Sequence, residues 1–390
     1  MGDSINGTRP VQWMPATQVE HELYGAKNRG DHGWFLRLLA STPIYRDARL
    51  SSFWDDSDGV GLLDYRDAWG RPCIAIRTRG ELLPQRNEIA LVETGFAALA
   101  ERWPGDGWWL VVNPGTPLET YFAGDARSRE QWKQLAAEAP QLGHDDDALV
   151  TRFTGPLHGP LAHALACGGH LAVHNQVPWN EIGDVYWNYS RDVRLLSQTW
   201  GCDTRQQWRE QLDHLIRARN SPWAPEFVLR LRRNALAQYS EATDPHWWRA
   251  LVANTLTTRG YPAGHIQQAV DLVGQITRYE QRFRADGVLP PDGFVTSAVG
   301  YDYGRAVNFV RWGVGARFCT PETAEQIIPI AGSLVREHYD SWGEFSAGYM
   351  LGRVLRFDEE EFGHMYTSAL NPHNILTTDP ASPWRNLPFA

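Results

Sequence analysis

The sequence predicts an α+β protein: an N-terminal α/β sandwich-like domain with a mixed sheet, followed by an all-α C-terminal domain. Three observations carry this. At 390 residues the chain exceeds one ordinary core, so at least two domains follow from length. Its first half alternates helix-period segments with short runs of β formers bounded by Gly, Pro and Asp. Beyond Trp187 the strand-like runs stop, and helix-start signals recur instead.

Residues 1–18 lack periodicity and are expected to form a flexible tail. From Val19 to Ala40 the spacing of Leu23, Tyr24, Phe35, Leu36, Leu38 and Leu39 predicts helix, interrupted at Gly30-Asp31-His32-Gly33. Strands are predicted at Val60–Tyr65, Cys73–Arg77 and Trp108–Asn113, with a helix over Glu88–Trp103 before the last of them. The turn Asn113-Pro114-Gly115-Thr116-Pro117 combines an Asn that tolerates turn geometry, a Pro that fixes φ and a Gly free to take positive φ. A tight turn is its simplest reading, and a ligand-binding loop at a strand end the functional alternative. Ser128–Ala139 reads as helix, Asp145-Asp146-Asp147 as a solvated linker edge, and Ala148–Phe153 as strand. Gly155–His174 reads as turn, short helix, glycine cap and strand, so residues 145–187 are expected to extend the first domain, taken as 19–187.

The helical domain, 196–390, is signposted by caps. Thr204-Arg-Gln-Gln207 and Ser341-Trp-Gly-Glu344 have the form of capping boxes, in which the first hydroxyl and the side chain three residues on satisfy orphan amides. Asp244-Pro245 and Thr320-Pro321 each place an N-cap before a proline at the first helical position. Further starts are expected near Ser221, Ala263 and Tyr301, and the acidic run Asp358–Glu361 is read as a solvated helix start.

Composition narrows the function classes. A formal charge of -9 argues against a nucleic-acid partner, since such binding draws on Lys and Arg against phosphates. No apolar run approaches the roughly 18 residues a membrane span needs, and no basic-then-apolar leader opens the chain. With four widely spaced cysteines, read as reduced thiols, the expectation is a cytoplasmic protein without a membrane partner. Tryptophan is unusually frequent, with 18 copies, and its role is read as core or interface anchoring ahead of sugar stacking.

The chemistry-bearing patterns are few. Cys167, His170 and His174 have a spacing a zinc site can use, and His158 and His163 lie nearby. A complete site needs four converging ligands, and no second ligand pair follows at the usual distance. The expectation is therefore no metal, with these residues packed in the core. Asp302 and Arg305 stand at i,i+3, and Tyr349 and Arg353 share a face at i,i+4, while Gly348-x-x-x-Gly352 invites close approach of another element. These four are the candidate site residues. An ionic knot tying helices together is one reading of them, and a substrate or anion pocket the other. Walker A, His-Glu-x-x-His, Gly-x-Ser-x-Gly and paired Cys-x-x-Cys signatures are absent, and no cofactor is expected.

Tyr301-Asp302-x-x-Arg305, Ser341-Trp342-x-Glu344-Phe345, Gly348-Tyr349-x-x-Gly352-Arg353 and Ser382-Pro383-Trp384-Arg385 together resemble the bacterial family called domain of unknown function 1266, from about Thr199 to Ala390. That resemblance implies a helical domain and assigns no catalytic residue. Residues 19–122 are similar to the N-terminal domain of SseB proteins, through their element order and the Asn113-Pro114-Gly115 turn. The similarity implies a small α/β interaction module, in some cases linked to secretion or toxin–immunity loci. The leading expectation is thus a non-catalytic protein with a protein partner, linked to a bacterial secretion or toxin–immunity system. The alternative is an enzyme or toxin-like effector acting in a pocket lined by Asp302, Arg305, Tyr349 and Arg353.

Overall fold

The computed structural model describes residues 13–49, 63, 65–83, 88–139, 147–183, 189–239 and 244–390. Its contacts divide the chain into an N-terminal sheet unit, essentially residues up to 141, and a helical unit that takes in Leu142–Thr151, Gly155–Asp184 and Ser190–Ala390.

In the first unit α1 (Gln18–Asn28) and α2 (His32–Ala40) are separated at Gly30, whose φ of 68° belongs to the left-handed region that glycine enters freely. Then come β1 (Ile44–Arg49), β2 (Tyr65–Arg66), β3 (Pro72–Thr78), β4 (Ile89–Thr94), α3 (Phe96–Glu101), β5 (Trp109–Val112), β6 (Thr120–Ala123) and α4 (Ala126–Glu138). The sheet order is β4-β1-β3-β5-β6, with β2 also on β3, and only the β3–β5 pair is parallel. The mixed sheet is therefore as expected. One face carries Ile44, Ile74, Ile76, Leu110 and Val112 into a core shared with Leu23, Phe35, Leu39, Phe96 and Trp132 from the helices.

Asn113 ends β5 with φ 50°, donates its N–H to the Ile76 carbonyl (2.8 Å) and accepts the Thr78 amide on Oδ1 (2.8 Å). Its side chain is fully buried, so the Asn-Pro-Gly turn clamps two strand ends together. Trp13 donates to Glu81 (3.2 Å) and the Glu20 carboxylate accepts from Thr17 and from the Gly80 amide, so the described end of the N-terminal stretch is tied down; residues 1–12 lie outside the described residues.

Four expectations are corrected here. Glu88–Trp103 is not one helix: Ile89–Thr94 pairs in full register with β1, from Ile44↔Thr94 to Arg49↔Ile89, and only Phe96–Glu101 is helical. The β-branched Ile89 and Val92 fit a pleated surface, and Gly95 separates the two elements. Ala148–Phe153 forms a single parallel bridge, Val150 to Pro178, in place of a strand. The segment to His174 is helix–turn–helix, α5 (Gly159–Ala166) and α6 (Gly169–His174), and it groups with the helical unit because it packs against the later helices; among the described residues no strand of the sheet lies beyond β6. Most of the predicted Val60–Tyr65 strand, and Asp145-Asp146, lie outside the described residues.

The helical unit continues with α7 (Tyr189–Trp200), α8 (Arg205–Ile216), α9 (Trp223–Leu236), α10 (Pro245–Thr258), α11 (Ala263–Ala285), α12 (Gly300–Gly315), α13 (Pro321–His338), α14 (Trp342–Phe357), α15 (His364–Thr378) and α16 (Pro383–Asn386). The local signals are realised at several starts: Thr204 and Gln207 form the reciprocal capping box, and Asp244 and Thr320 cap as N-cap residues before proline. Ser341 caps α14 through the Glu344 amide (3.1 Å), whereas the Glu344 carboxylate reaches one residue further back, to the Asp340 amide (3.0 Å).

The acidic run is the remaining correction. Asp358 closes α14 instead of opening a helix, and Glu359 and Glu360 take left-handed φ of 49° and 64°. Asp358, 3% exposed, accepts from the Tyr279 hydroxyl (2.9 Å) and the Phe362 amide (3.1 Å), and Glu360 pairs with Arg278. Two of the four acids in that stretch, Asp358 and Glu360, thus end a helix or tie the turn to α11.

All sixteen residues of α12 are buried. It packs against α6, α8, α13 and α14, which accounts for its glycines: a Cβ on Gly304 would lie 2.9 Å from Tyr349, and one on Gly313 2.5 Å from Trp208.

Candidate functional site

A helix buried on every side has no solvated face for polar residues, yet α12 carries Asp302, Arg305, Asn308 and Arg311 at successive i,i+3 steps. Each is therefore partnered. Asp302 accepts the Asn220 and Ser221 amides (3.1 and 3.0 Å) and the Ser221 hydroxyl (2.6 Å), and pairs with Arg305. Arg305 donates Nε to the Tyr301 carbonyl (3.2 Å), and its guanidinium lies 3.9 Å from the Tyr301 ring centroid and 5.4 Å from that of Trp200. With the Asn220 carboxamide oxygen turned toward it, Arg305 also donates to that oxygen at 2.9 and 3.1 Å. Asn308 donates to the Gly168 carbonyl (2.9 Å) and Arg311 to that of Pro178 (2.7 Å). The polar row staples three irregular connections to the central helix.

Of the four candidates, Asp302 and Arg305 come together, at 0% and 6% exposure. Tyr349 lies edge-on to Tyr301 with centroids 5.2 Å apart, and burial raises its hydroxyl pKa. Arg353 turns away, donating Nη2 to Ser368 on α15 (2.8 Å). Gly348 and Gly352 serve the close approach their spacing suggested: a Cβ on Gly352 would stand 2.5 Å from the Tyr301 Cβ.

The His/Cys group also disperses. Cys167 is fully buried, donates weakly to the His163 carbonyl (3.4 Å), and burial raises its thiol pKa. His174 faces Asp147 (3.0 Å), while His170 points to Ser346 (2.9 Å). Among the described residues no three His, Cys, Asp or Glu side chains are placed to hold a metal ion. His163 sits between Arg336 (3.0 Å) and the Phe389 carbonyl (2.7 Å), with its ring tilted by 32° against Trp342.

Two residues without any local sequence signal complete the inner network. Ser346 Oγ contacts both His170 Nε2 and His373 Nδ1 (2.7 Å). A hydroxyl has one proton, so it accepts from one imidazole and donates to the other. His170 Nδ1 is buried without a partner, so the tautomer protonated on Nε2 leaves an unpaired acceptor there in place of a costlier unpaired donor. His170 then donates to Ser346, and Ser346 to His373. Burial holds both imidazoles neutral, His170 well below the usual range and His373 down to about 4. With Ser346 at 0% exposure this chain links α6, α14 and α15 and offers no open position to a substrate.

An open feature lies beside the Asp302 knot. A crevice of about 60 Å³ has Asp302 and Glu226 in its floor and Trp223, Pro225, Leu355 and Arg356 in its walls. Both carboxylates are occupied, Glu226 by the Ser297 hydroxyl (2.7 Å) and the Ala298 amide (3.0 Å). Trp223, 58% exposed, stands over Phe227 (5.4 Å) and near Tyr261 (6.3 Å), and the Arg259 guanidinium lies 5.6 Å from the Phe227 ring.

No curated protein and no solved structure matches the chain. The family model described as "Protein of unknown function (DUF1266)" matches residues 195–389, which include the whole polar row of α12, the Ser346–His373 pair and the Trp223 crevice. By that match the chain belongs to the domain of unknown function 1266 family.

Proposed function

We propose that this protein acts by binding another protein through the face of the helical unit centred on Trp223. The observation that supports the reading most directly is Trp223 itself. An indole 58% exposed, backed by Phe227 and flanked by Tyr261, is the kind of large, rigid anchor that dominates binding energy at interfaces. The charges around it are one-sided. Glu226 and Asp302 are spent on internal partners, whereas Arg259 and Arg356 are exposed and, among the described residues, pair with no carboxylate. On a chain of net charge -9 this local reversal favours a partner segment that carries an apolar or aromatic side chain beside acidic residues.

Other features are consistent with the same role. The similarity of residues 19–122 to the SseB N-terminal domain fits an interaction module, and four buried, unbridged cysteines fit a reducing cytoplasm. No described helix is long and apolar enough to cross a membrane. The enzyme alternative draws no support from Asp302, Arg305 and Tyr349, which are buried and engaged with the protein's own groups.

The test is capture by the immobilised full chain, its Trp223→Ala variant and its Arg356→Glu variant from a native extract. A stoichiometric partner retained by the parent and lost by both variants, at unchanged Tm, is the expected result. Equal retention by Trp223→Ala overturns the assigned face, and no stoichiometric partner overturns the binding role.

A further inference from the structure

A second concavity lies on another side of the helical unit, and its lining has a different chemistry. Between α8 and α13, over the connection that leaves α12, a cleft of about 320 Å³ opens to solvent. That volume is at the lower end of the range of small-molecule pockets. The α8 stripe Arg205, Trp208, Arg209, Leu212, Asp213 and Ile216 forms one wall at i,i+3,i+4 spacing. Ile327 faces it from α13, and Phe318 and Cys319 complete the apolar part. Burial pushes the Cys319 thiol up to about 12, so it lines the cleft uncharged, with its S–H directed at the Val310 carbonyl (3.8 Å).

The polar part of the lining is unbalanced. Asp213 already pairs with Arg217 at 2.7 Å, and Arg205 donates to the Arg317 carbonyl (3.2 Å). Arg209, exposed at the rim, has no hydrogen bond or ion pair among the described residues. Glu322 occupies the first turn of α13, where the Thr320 hydroxyl lowers its pKa, so that helix start already carries a negative charge of its own. The cleft therefore combines an apolar floor with two guanidinium groups one helical turn apart, of which one is uncommitted.

We propose that this cleft binds a small amphipathic carboxylate, with the head group on Arg209 and Arg205 and the apolar body against Leu212, Ile216 and Ile327. A guanidinium fork fits a carboxylate bidentately, and the body supplies the burial that a bare ion lacks.

The test uses octanoate as probe, with 1-octanol, octyl phosphate and inorganic phosphate as comparators, read by ligand-observed NMR and by the shift in Tm of the full chain. Octanoate is expected to bind, and Arg209→Glu to weaken it at least about tenfold, the scale of a lost charged hydrogen bond. Ile327→Trp, which fills the cleft without touching the cations, is expected to abolish binding while the unliganded protein keeps its Tm. Octanol binding as well as octanoate would overturn the anionic head, and octyl phosphate displacing octanoate at lower concentration would overturn the carboxylate assignment. Inorganic phosphate competing equally would overturn the apolar body. Unchanged binding in Arg209→Glu, or no binding of any probe, would overturn the site.

Discussion

The His170 imidazole lies flat on the Tyr349 ring, with centroids 4.1 Å apart and planes 7° from parallel. This contact joins two groups that are 179 positions apart in the chain, one from the His/Cys cluster and one from the Tyr349/Arg353 face, since 349 minus 170 is 179. Both belong to one sealed network with Ser346, His373 and Trp384.

That network sets an acid limit on the helical unit. His373 is held neutral down to about 4, and an unfolded histidine titrates near 6.5, so between these values the unfolded chain binds the extra proton. Stability contributed by the buried neutral ring is present above about pH 6.5 and is lost as pH falls toward 4, by up to about 3 kcal/mol for this group. His170, shifted the same way, adds to it. Urea unfolding followed from pH 7.5 to 4 is expected to show the loss, and His373→Gln to flatten it.

The sheet unit is expected to respond with the opposite sign. Burial and the neighbouring Glu20 raise Glu81 to about 7, against the opposing Trp13 hydrogen bond and the charges of Arg152 and Arg77. Its folded form holds a proton that the unfolded form releases near 4.5, so the contribution is present below that value and is lost as pH rises through 7. Because the side chain is only partly buried, solvent screening reduces the effect to about 1 kcal/mol. Glu81→Gln keeps the Trp13 contact and is expected to raise the Tm of this unit at pH 8 while leaving it unchanged at pH 4.5.

Arg305 and Arg353 separate the structural role from the functional one. Arg305→Ala leaves the Asp302 carboxylate buried without its cation and is expected to destabilise by roughly 3–5 kcal/mol. Arg353→Ala removes one bond to Ser368 from a half-buried side chain, at a cost of about 1 kcal/mol. Chemical denaturation of the two variants should rank them in that order. A small loss at Arg305 would mean that the knot does not hold the α8–α9 connection.

Gly348→Ala probes the contact between α14 and the segment that leads into α12. A Cβ there meets the Tyr339 hydroxyl and lies 2.5 Å from the Ser297 carbonyl. That hydroxyl bridges the Ser297 carbonyl (2.9 Å) and the Gly300 amide (2.8 Å), so it has no room to move without losing both. A loss of about 1–3 kcal/mol is expected, the range for overpacking a tight core. Gly343→Ala, whose Cβ meets only Ser341 Oγ at 3.8 Å, serves as control.

What was legible in the sequence follows the range of the interactions. Thr204 with Gln207, Asp244 with Pro245 and Thr320 with Pro321 act within one turn, so their residue types suffice. The pairing of Asp302 with Arg305 was legible for the same reason. Ile89–Thr94 was not, because its partner β1 lies some forty residues earlier and six apolar-rich residues fit either period. His170–His174 was too short a run to reveal its period, and Ser346 gave no signal because its partner His170 stands 176 residues away. The exposure of Trp223, unlike that of Trp208 or Trp248, depends on which helix face the neighbours leave uncovered.

The contacts of α5 and α6 with the later helices carry one more consequence. The family match begins at Leu195, but the compact helical unit also takes in Gly155–Asp184. A chain cut there would strand the Asn308 amide without the Gly168 carbonyl and the Trp384 indole N–H without that of Ala166, and would uncover Gly332 where Ala164 now presses against it. The stretch matched by the family is therefore shorter than the unit that packs together, and α5 and α6 supply hydrogen-bond acceptors that the later helices do not provide for themselves.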